Sequence, residues 1–225
     1  MDYVVRKAPT PPLLNGNAST GPWDKADTID IAHFYARSSD HHPRTRARLL
    51  YDDQAIYVLF DVQDRYVKAV HPNYQGPVCR DSCVEFFVQP RADKGYLNFE
   101  INCGGTMLLY YIEDATRVPT GLGFKKCVAV PEELGRTVQI HHSLPKIVDP
   151  EITEPVDWTV AYRIPLKLIE HYTGPLGKLA AQTWRANFYK CADGCSHPHW
   201  ASWVPVGEPL SFHQPKYFAP IRFED

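Results

Sequence analysis

The chain has 225 residues, 44% of them hydrophobic, and its 24 basic and 26 acidic side chains give a formal net charge of -2. This balance excludes the basic stripe that displaces counterions from nucleic acid, and no apolar run approaches the ~20 residues that span a bilayer. The first residues, MDYVVRKAPTPP, lack the apolar region of a signal peptide. We therefore expect no nucleic-acid partner, no membrane span, and a cytoplasmic location unless a leader has been removed. The sequence does not specify an oligomeric state.

Short segments of alternating apolar and polar residues follow one another along the chain. This period of two is typical of strands with one face in a core. The first two strands are predicted to form a hairpin that turns at Asp52-Asp53, and a second turn is predicted at Gly104-Gly105. The predicted strands are residues 45–51, 56–62, 83–89, 96–103, 106–112, 126–130, 137–142, 157–164, 183–190 and 220–223.

Helical signals are confined to one segment, which starts at Pro165 and ends before Gly174. The 20 prolines and 13 glycines are spread along the chain, which indicates many short elements joined by turns. No linker divides the sequence after its Pro-, Asn- and Gly-rich start. We therefore predict an extended lead-in over residues 1–22, followed by one domain over 23–225. This domain is expected to be an all-β antiparallel sandwich with one short helix.

Three predicted strands carry hydrogen-bonding side chains on the face that points away from the core. Amide, carboxylate and guanidinium groups replace the lysines and threonines usual on a solvated face, and two aromatic rings stand among them. If the strands are neighbours, they form one polar, partly aromatic face. A solvated face or a buried structural network would give the same pattern. The residues concerned are Glu85, Phe87, Asn98, Glu100, Asn102, Arg185, Asn187 and Tyr189.

Five segments, in order, resemble the family 9 carbohydrate-binding modules, within the DOMON-like superfamily. They are WDKA at 23–26, ARLLYD at 47–52 with IYV at 56–58, DSCVEFF at 81–87, YLNFEIN at 96–102 and FHQPKYF at 212–218. The resemblance implies a jelly-roll-like sandwich with immunoglobulin-like layers and a non-catalytic sugar site on one sheet face. It also implies a sugar held between two tryptophans, and calcium ions that brace loops.

The chain departs from this family pattern at three positions of the implied sugar site. Val78-Cys79 stands where one sandwiching tryptophan is expected, Phe212 lies near the place of the other, and Glu100 replaces a sugar-binding arginine. Sugars need paired donors and acceptors for their hydroxyls and a ring against their C–H face, and Trp200 or Trp203 could supply that ring. We therefore predict the ligand-binding residues Glu85, Phe87, Asn98, Glu100, Asn102, Arg185, Asn187, Tyr189, Trp200, Trp203, Phe212 and His213.

Several other functions are compatible with the sequence. A haem- or metal-binding sandwich is one, because some DOMON domains hold haem, and Met107 and His213 could be axial ligands. A glycoside hydrolase that uses Glu85 and Glu100 is another. The candidate zinc ligands are Cys191, Cys195, His197 and His199, and the candidate ligands of a structural calcium are Asp52, Asp53, Asp61, Asp64 and Asp81. No cofactor is certain, and we expect the six cysteines to be reduced.

Overall fold

The computed structural model describes residues 2–225, in which two curled sheets pack face to face. The front sheet consists, in spatial order, of β10 (Phe124–Ala129), β9 (Met107–Arg117), β8 (Tyr96–Asn102), β7 (Cys83–Gln89), β14 (Thr183–Cys191) and β16 (Ala219–Phe223). The back sheet consists of β4 (Arg44–Tyr51), β5 (Ala55–Asp64), β13 (Val156–Pro165) and β11 (Gln139–His142), with β2 (Ile29–Ile31) paired to β4. The predicted all-β sandwich is confirmed.

One strand, β1 (Tyr3–Lys7), connects the two sheets at their edge. Its first half runs parallel to β16, where Tyr3 pairs with Ile221, and its last two residues run parallel to β4, where Lys7 pairs with Tyr51. This strand lies within the predicted lead-in, so residues before Trp23 take part in the sandwich. Both pairings of this strand are parallel, whereas the other strand pairings of the described residues are antiparallel.

The smaller elements lie at the ends and edges of the sandwich. They are β3 (His33–Phe34), β6 (Val67–Ala69), β12 (Val148–Ile152), β15 (Trp200–Ser202), α1 (Glu132–Gly135) and α2 (Leu166–Thr173). The predicted helix is α2, and it ends at Gly174, whose φ of 80° favours glycine. The single turn α1 was not predicted. Among residues 2–225, no helix has the length and apolar character that crossing a membrane requires.

The hydrophobic core fills the space between the sheets. The alternation predicted for β7 is observed, because Val84, Phe86 and Val88 are buried in this core. From β14, Phe188 stacks against Phe86 with ring centroids 4.8 Å apart. Burying a side chain of this size contributes about 1.5–3 kcal/mol. The opposite side chains of the same strands therefore point out of the front sheet, where the candidate site lies.

One core residue gives a test of this packing. The Tyr162 hydroxyl is buried among aromatic rings and has no hydrogen-bond partner. An unsatisfied buried hydroxyl is costly, so we expect Tyr162→Phe to raise the free energy of unfolding by about 1 kcal/mol. The matched change Tyr189→Phe removes a hydroxyl that donates to the Phe212 carbonyl at 3.1 Å. We expect this change to lower the free energy of unfolding by about 1 kcal/mol. Urea denaturation measures both, and a loss of stability in Tyr162→Phe would contradict the expectation.

Candidate functional site

The outer face of the front sheet is partly covered by the chain after β15. Phe212 lies flat on Tyr189, with ring centroids 4.1 Å apart and an interplanar angle of 10°. Phe218 packs edge-on against Tyr96 at 5.4 Å. These contacts hold the covering segment above β7, β8 and β14 and leave an open recess beside it.

The recess is a cavity of about 460 Å³, within the range of ~300–1,000 Å³ usual for ligand sites. Its lining brings together five predicted ligand-binding residues: Glu85, Glu100, Trp200, Phe212 and His213. The ligand-binding prediction did not include the other lining residues, namely Cys79, Arg117, Cys191, Asp193, Pro209, Leu210 and Ser211. Arg117 was missed because β9 extends beyond the predicted strand end, and Asp193 because it lies in a loop.

Two carboxyl groups form the floor of this cavity. Glu85 and Glu100 stand directly opposite each other on β7 and β8 and are only 2% and 5% exposed. The Cys191 thiol donates to Glu85 Oε1 at 3.1 Å, and Asn98 Nδ2 donates to Glu100 Oε1 at 2.7 Å. Burial and the charge of Glu100 raise the pKa of Glu85 well above its usual range, and burial raises the pKa of Glu100 to about 7. The pair therefore retains a proton near neutral pH.

The remaining walls combine aromatic rings with polar side chains. Trp200 is half-buried, and its indole Nε1 donates to Asp193 Oδ1 at 2.7 Å, which fixes the ring at the cavity rim. His213 Nδ1 lies 2.9 Å from the Tyr96 hydroxyl, and its ring packs 4.6 Å from that of Phe124. Burial lowers the pKa of His213 to about 3, so this imidazole is neutral at physiological pH.

Three predicted residues lie beneath the cavity and support its floor. Asn98 is fully buried and accepts the Tyr110 backbone N–H at 2.7 Å, which aims its amide nitrogen at Glu100. Tyr189 and Phe87 are also fully buried, 5.0 Å apart in an edge-on contact. These side chains position the lining groups and have no open face of their own.

Four predicted residues lie away from the cavity. Asn187 is tied to the Val204 backbone, Asn102 donates to Asp81 at 2.7 Å, and Arg185 donates to the Phe218 carbonyl at 2.7 Å. Trp203 packs in the inter-sheet core, 5.8 Å from Phe188. Because side chains alternate between faces of extended chain, residues 200 and 203 point to opposite sides. Of the two tryptophans, only Trp200 reaches the cavity.

The candidate metal ligands do not converge. Each of the five aspartates binds neighbouring donors at a different place. Their partners are backbone N–H groups of Gln54 and Ala55 for Asp52, Lys7 for Asp53, Arg46 and Arg48 for Asp61, His41 and Trp158 for Asp64, and His71 and Asn102 for Asp81. Of the candidate zinc ligands, His199 lies 2.8 Å from Lys190 Nζ, while Cys195 lies beside Ser82 and His197 stacks on Tyr66.

One other group of side chains could ligate a metal within the described residues. Cys83, Glu85 and Cys191 place their ligand atoms within 4.8 Å of one another. Burial raises the pKa of the Cys83 thiol to about 12, and a neighbouring thiol and burial raise that of Cys191. We interpret both as protonated thiols, in keeping with the hydrogen bond from Cys191 to Glu85. All six cysteines are free.

The haem ligands considered from the sequence are separated by the front sheet. Met107 is 4% exposed and belongs to the inter-sheet core, whereas His213 packs on the outer face. Since side chains on opposite faces of one sheet cannot reach the same iron, this pair does not form a haem site.

A larger open groove of about 740 Å³ lies elsewhere, lined by residues 7–12 and the β4–β5 turn. Some of its charged side chains are engaged: Lys7 pairs with Asp53, and Asp52 accepts the Tyr57 hydroxyl at 2.7 Å. None of the predicted ligand-binding residues lines it, although its volume is greater. The chemistry favours the smaller cavity.

The fold and the cavity define a β-sandwich module with a ligand recess on the outer face of one sheet. The chain belongs to carbohydrate-binding family 9, whose family model matches residues 23–223. No curated protein matches the sequence.

Solved structures with the same fold include a candidate carbohydrate-binding protein from Bacteroides uniformis. It is 26% identical, with a TM-score of 0.84 over 99% of both chains. A family 9 module from Caldicellulosiruptor kristjanssonii in complex with cellotriose is 14% identical, with a TM-score of 0.65 over 100% of this chain and 94% of the other. A family 9 module from the same organism in complex with glucose is 15% identical, with a TM-score of 0.58 over 99% and 96% of the chains.

Proposed function

We propose that this protein binds the end of a carbohydrate, without cleaving it, in the cavity above Glu85 and Glu100. The observation that carries the proposal is the placement of two adjacent carboxyl groups beneath the rims formed by Trp200 and Phe212. Membership of carbohydrate-binding family 9 and structural neighbours with bound cellotriose and glucose support it.

In this proposal, the polar and the aromatic lining groups bind different parts of the sugar. The carboxyl oxygens of Glu85 and Glu100 accept hydrogen bonds from sugar hydroxyls, and a protonated carboxyl can also donate one. Trp200 offers a ring to the apolar C–H face of the sugar. Its bond to Asp193 restricts the ring before binding, which reduces the entropy lost when the ligand enters.

The position of the carboxyl groups favours binding over hydrolysis. A glycosidase places its acid and its base or nucleophile on the two sides of the scissile bond. Glu85 and Glu100 instead project from adjacent strands into the same floor. A ligand that enters from above meets both on one side, so the proposed function is non-catalytic.

The central experiment is a titration of the purified protein with glucose, cellobiose and cellotriose by calorimetry, preceded by a glycan array. We expect Trp200→Ala to weaken binding about tenfold or more, because an aromatic anchor at a desolvated contact typically contributes over ~1 kcal/mol. The control is Tyr172→Ala, which removes a half-buried ring from α2, outside the cavity.

Three results would contradict the proposal. One is the absence of binding to every glycan on the array. A second is equal affinity of Trp200→Ala and the wild-type protein. The third is the appearance of shorter products when oligosaccharides are incubated with the protein, since products would indicate hydrolysis.

A further inference from the structure

The cavity is lined by more acidic side chains than basic ones. Three carboxyl groups line it, from Glu85, Glu100 and Asp193, against the single guanidinium of Arg117. Arg117 is exposed at the rim and lies over the Phe124 ring, with its Cζ atom 4.2 Å from the centroid. The buried Lys190 ammonium points to the other side of the sheet, toward Asp64. In the part of the chain that the structure describes, neither floor carboxyl forms an ion pair with lysine or arginine.

The two floor carboxyls also retain unused acceptors. Glu85 accepts a hydrogen bond only through Oε1, from the Cys191 thiol, and Glu100 only through Oε1, from Asn98. Within residues 2–225, the Oε2 atom of each makes no hydrogen bond. Both side chains are at least nine-tenths buried. A carboxylate removed from water is costly, and a ligand that brings donors and positive charge to the two Oε2 atoms would reduce that cost.

Aromatic rings stand beside these carboxyls. Trp200 and Phe212 line the same cavity, and the negative face of an aromatic ring attracts a cation. The other neighbours of the carboxyls are thiols, an amide nitrogen and the His213 imidazole, whose Nε2 lies 3.9 Å from Glu100 Oε1. None of these is the oxygen ligand that a hard metal ion such as calcium prefers. The combination therefore fits an organic ammonium group better than a metal ion.

We propose that the preferred ligand is an amino sugar whose protonated amine lies between Glu85 and Glu100. This inference rests on the proposed function and specifies the class of sugar. Each unused Oε2 atom accepts one N–H of the ammonium, and Trp200 covers the C–H face of the ring. Charge-assisted bonds of this kind are about twice as strong as neutral ones.

The test compares three β-1,4-linked disaccharides that differ only at C2: cellobiose, fully deacetylated chitobiose and N,N′-diacetylchitobiose. We expect deacetylated chitobiose to bind at least about tenfold more tightly than cellobiose at about pH 7, where its amines are still largely protonated. Glu100, whose pKa is about 7, can ionise at this pH, and a bound ammonium favours its ionised form. The diacetyl compound separates charge from size, because it has nitrogen at C2 without a positive charge. A calcium chelator should leave the affinity unchanged.

The variant Glu100→Gln keeps the shape of the floor and removes the carboxyl group that can ionise. It should reduce the ratio of the chitobiose and cellobiose affinities to near one while cellobiose still binds. Glu133→Gln, an exposed position on α1, is the matched control and should keep the wild-type ratio. Equal affinity of the wild-type protein for the amine and the neutral disaccharide would overturn this inference and leave the proposed function standing. Absence of binding to all three disaccharides would count against both.

Discussion

Replacing Lys190 with methionine is expected to lower the free energy of unfolding by about 3–5 kcal/mol, because it leaves the Asp64 carboxylate buried without its cation. The side chains of Lys190 and Asp64 are 0% and 1% exposed, and Nζ lies 3.5 Å from Asp64 Oδ2. Trp158 Nε1 donates to the same carboxylate at 3.1 Å, and His41 lies 2.7 Å from its other oxygen. These donors remain after the substitution but do not replace the lost ammonium.

The pH dependence of stability reports on the same pair. Burial alone would raise the pKa of Asp64, but Lys190 and His41 outweigh burial and lower it from 3.8 to about 2. The stabilisation is therefore complete above about pH 4 and is lost as the pH falls toward 2. In Lys190→Met the carboxyl should take up its proton at a higher pH. Urea unfolding between about pH 2 and pH 7 measures both effects.

A matched control separates burial from charge. Lys126 pairs with Glu113 on the surface, with side chains 65% and 39% exposed, and Lys126→Met should change the free energy of unfolding by less than about 1 kcal/mol. The double variant Lys190→Met, Asp64→Asn should be more stable than Lys190→Met alone, since it removes the orphaned charge. Equal unfolding midpoints for Lys190→Met and the wild-type protein would show that the pair contributes nothing.

The sandwich could be predicted because alternation is a local property of the sequence. The strand predicted over residues 83–89 is β7 with the same bounds. By contrast, β1 has five residues, and its partners are near the far end of the chain and in β4. No local pattern indicates such a pairing. The same holds for β6 and β12, which pair only with each other across a long stretch of sequence.

The site could be predicted only in part, because alternation gives the face of a side chain and not its partner. Glu85, Asn98 and Asn187 all lie on the outer face, yet the segment after β15 binds Asn187 and leaves Glu85 beside the cavity. That distinction depends on where a long loop crosses the sheet. Trp200 and Trp203 are three residues apart in extended chain, so the alternation rule places their side chains on opposite faces. Applied to the sequence, this rule would have excluded one of the two tryptophans from the cavity.

Glu100→Gln is expected to raise the free energy of unfolding at about pH 8 by about 2–4 kcal/mol, a large gain for a single substitution. Burial raises the pKa of Glu100 from 4.5 to about 7, and every tenfold change in an ionisation constant corresponds to about 1.4 kcal/mol. The folded protein keeps a proton that the unfolded chain loses between these two values. Stability therefore falls as the pH rises from 4.5 to 7, and glutamine, which does not ionise, avoids this fall.

The substitution is nearly isosteric and preserves the surroundings of the carboxyl. Its amide oxygen can accept from Asn98, and its amide nitrogen can donate to Glu85. The other ionisable groups nearby stay in place, and these are Cys79, Glu85, Tyr96, Tyr110, Arg117, Asp193 and His213. Urea unfolding from about pH 4 to pH 8 provides the measurement, with Glu133→Gln as the exposed control.

A wild-type protein whose stability does not fall between pH 4.5 and 7 would show that Glu100 ionises without penalty. If stability does fall, the ionised Glu100 side chain weakens the folded state, and in the proposed binding mode the same carboxylate provides the preference for a cation. Glu100→Gln should then gain stability and lose discrimination between amine-bearing and neutral sugars. Such opposed effects are typical of a binding residue, because a group that the fold leaves unpaired is available to a ligand. A purely structural glutamate would lose stability on the same replacement.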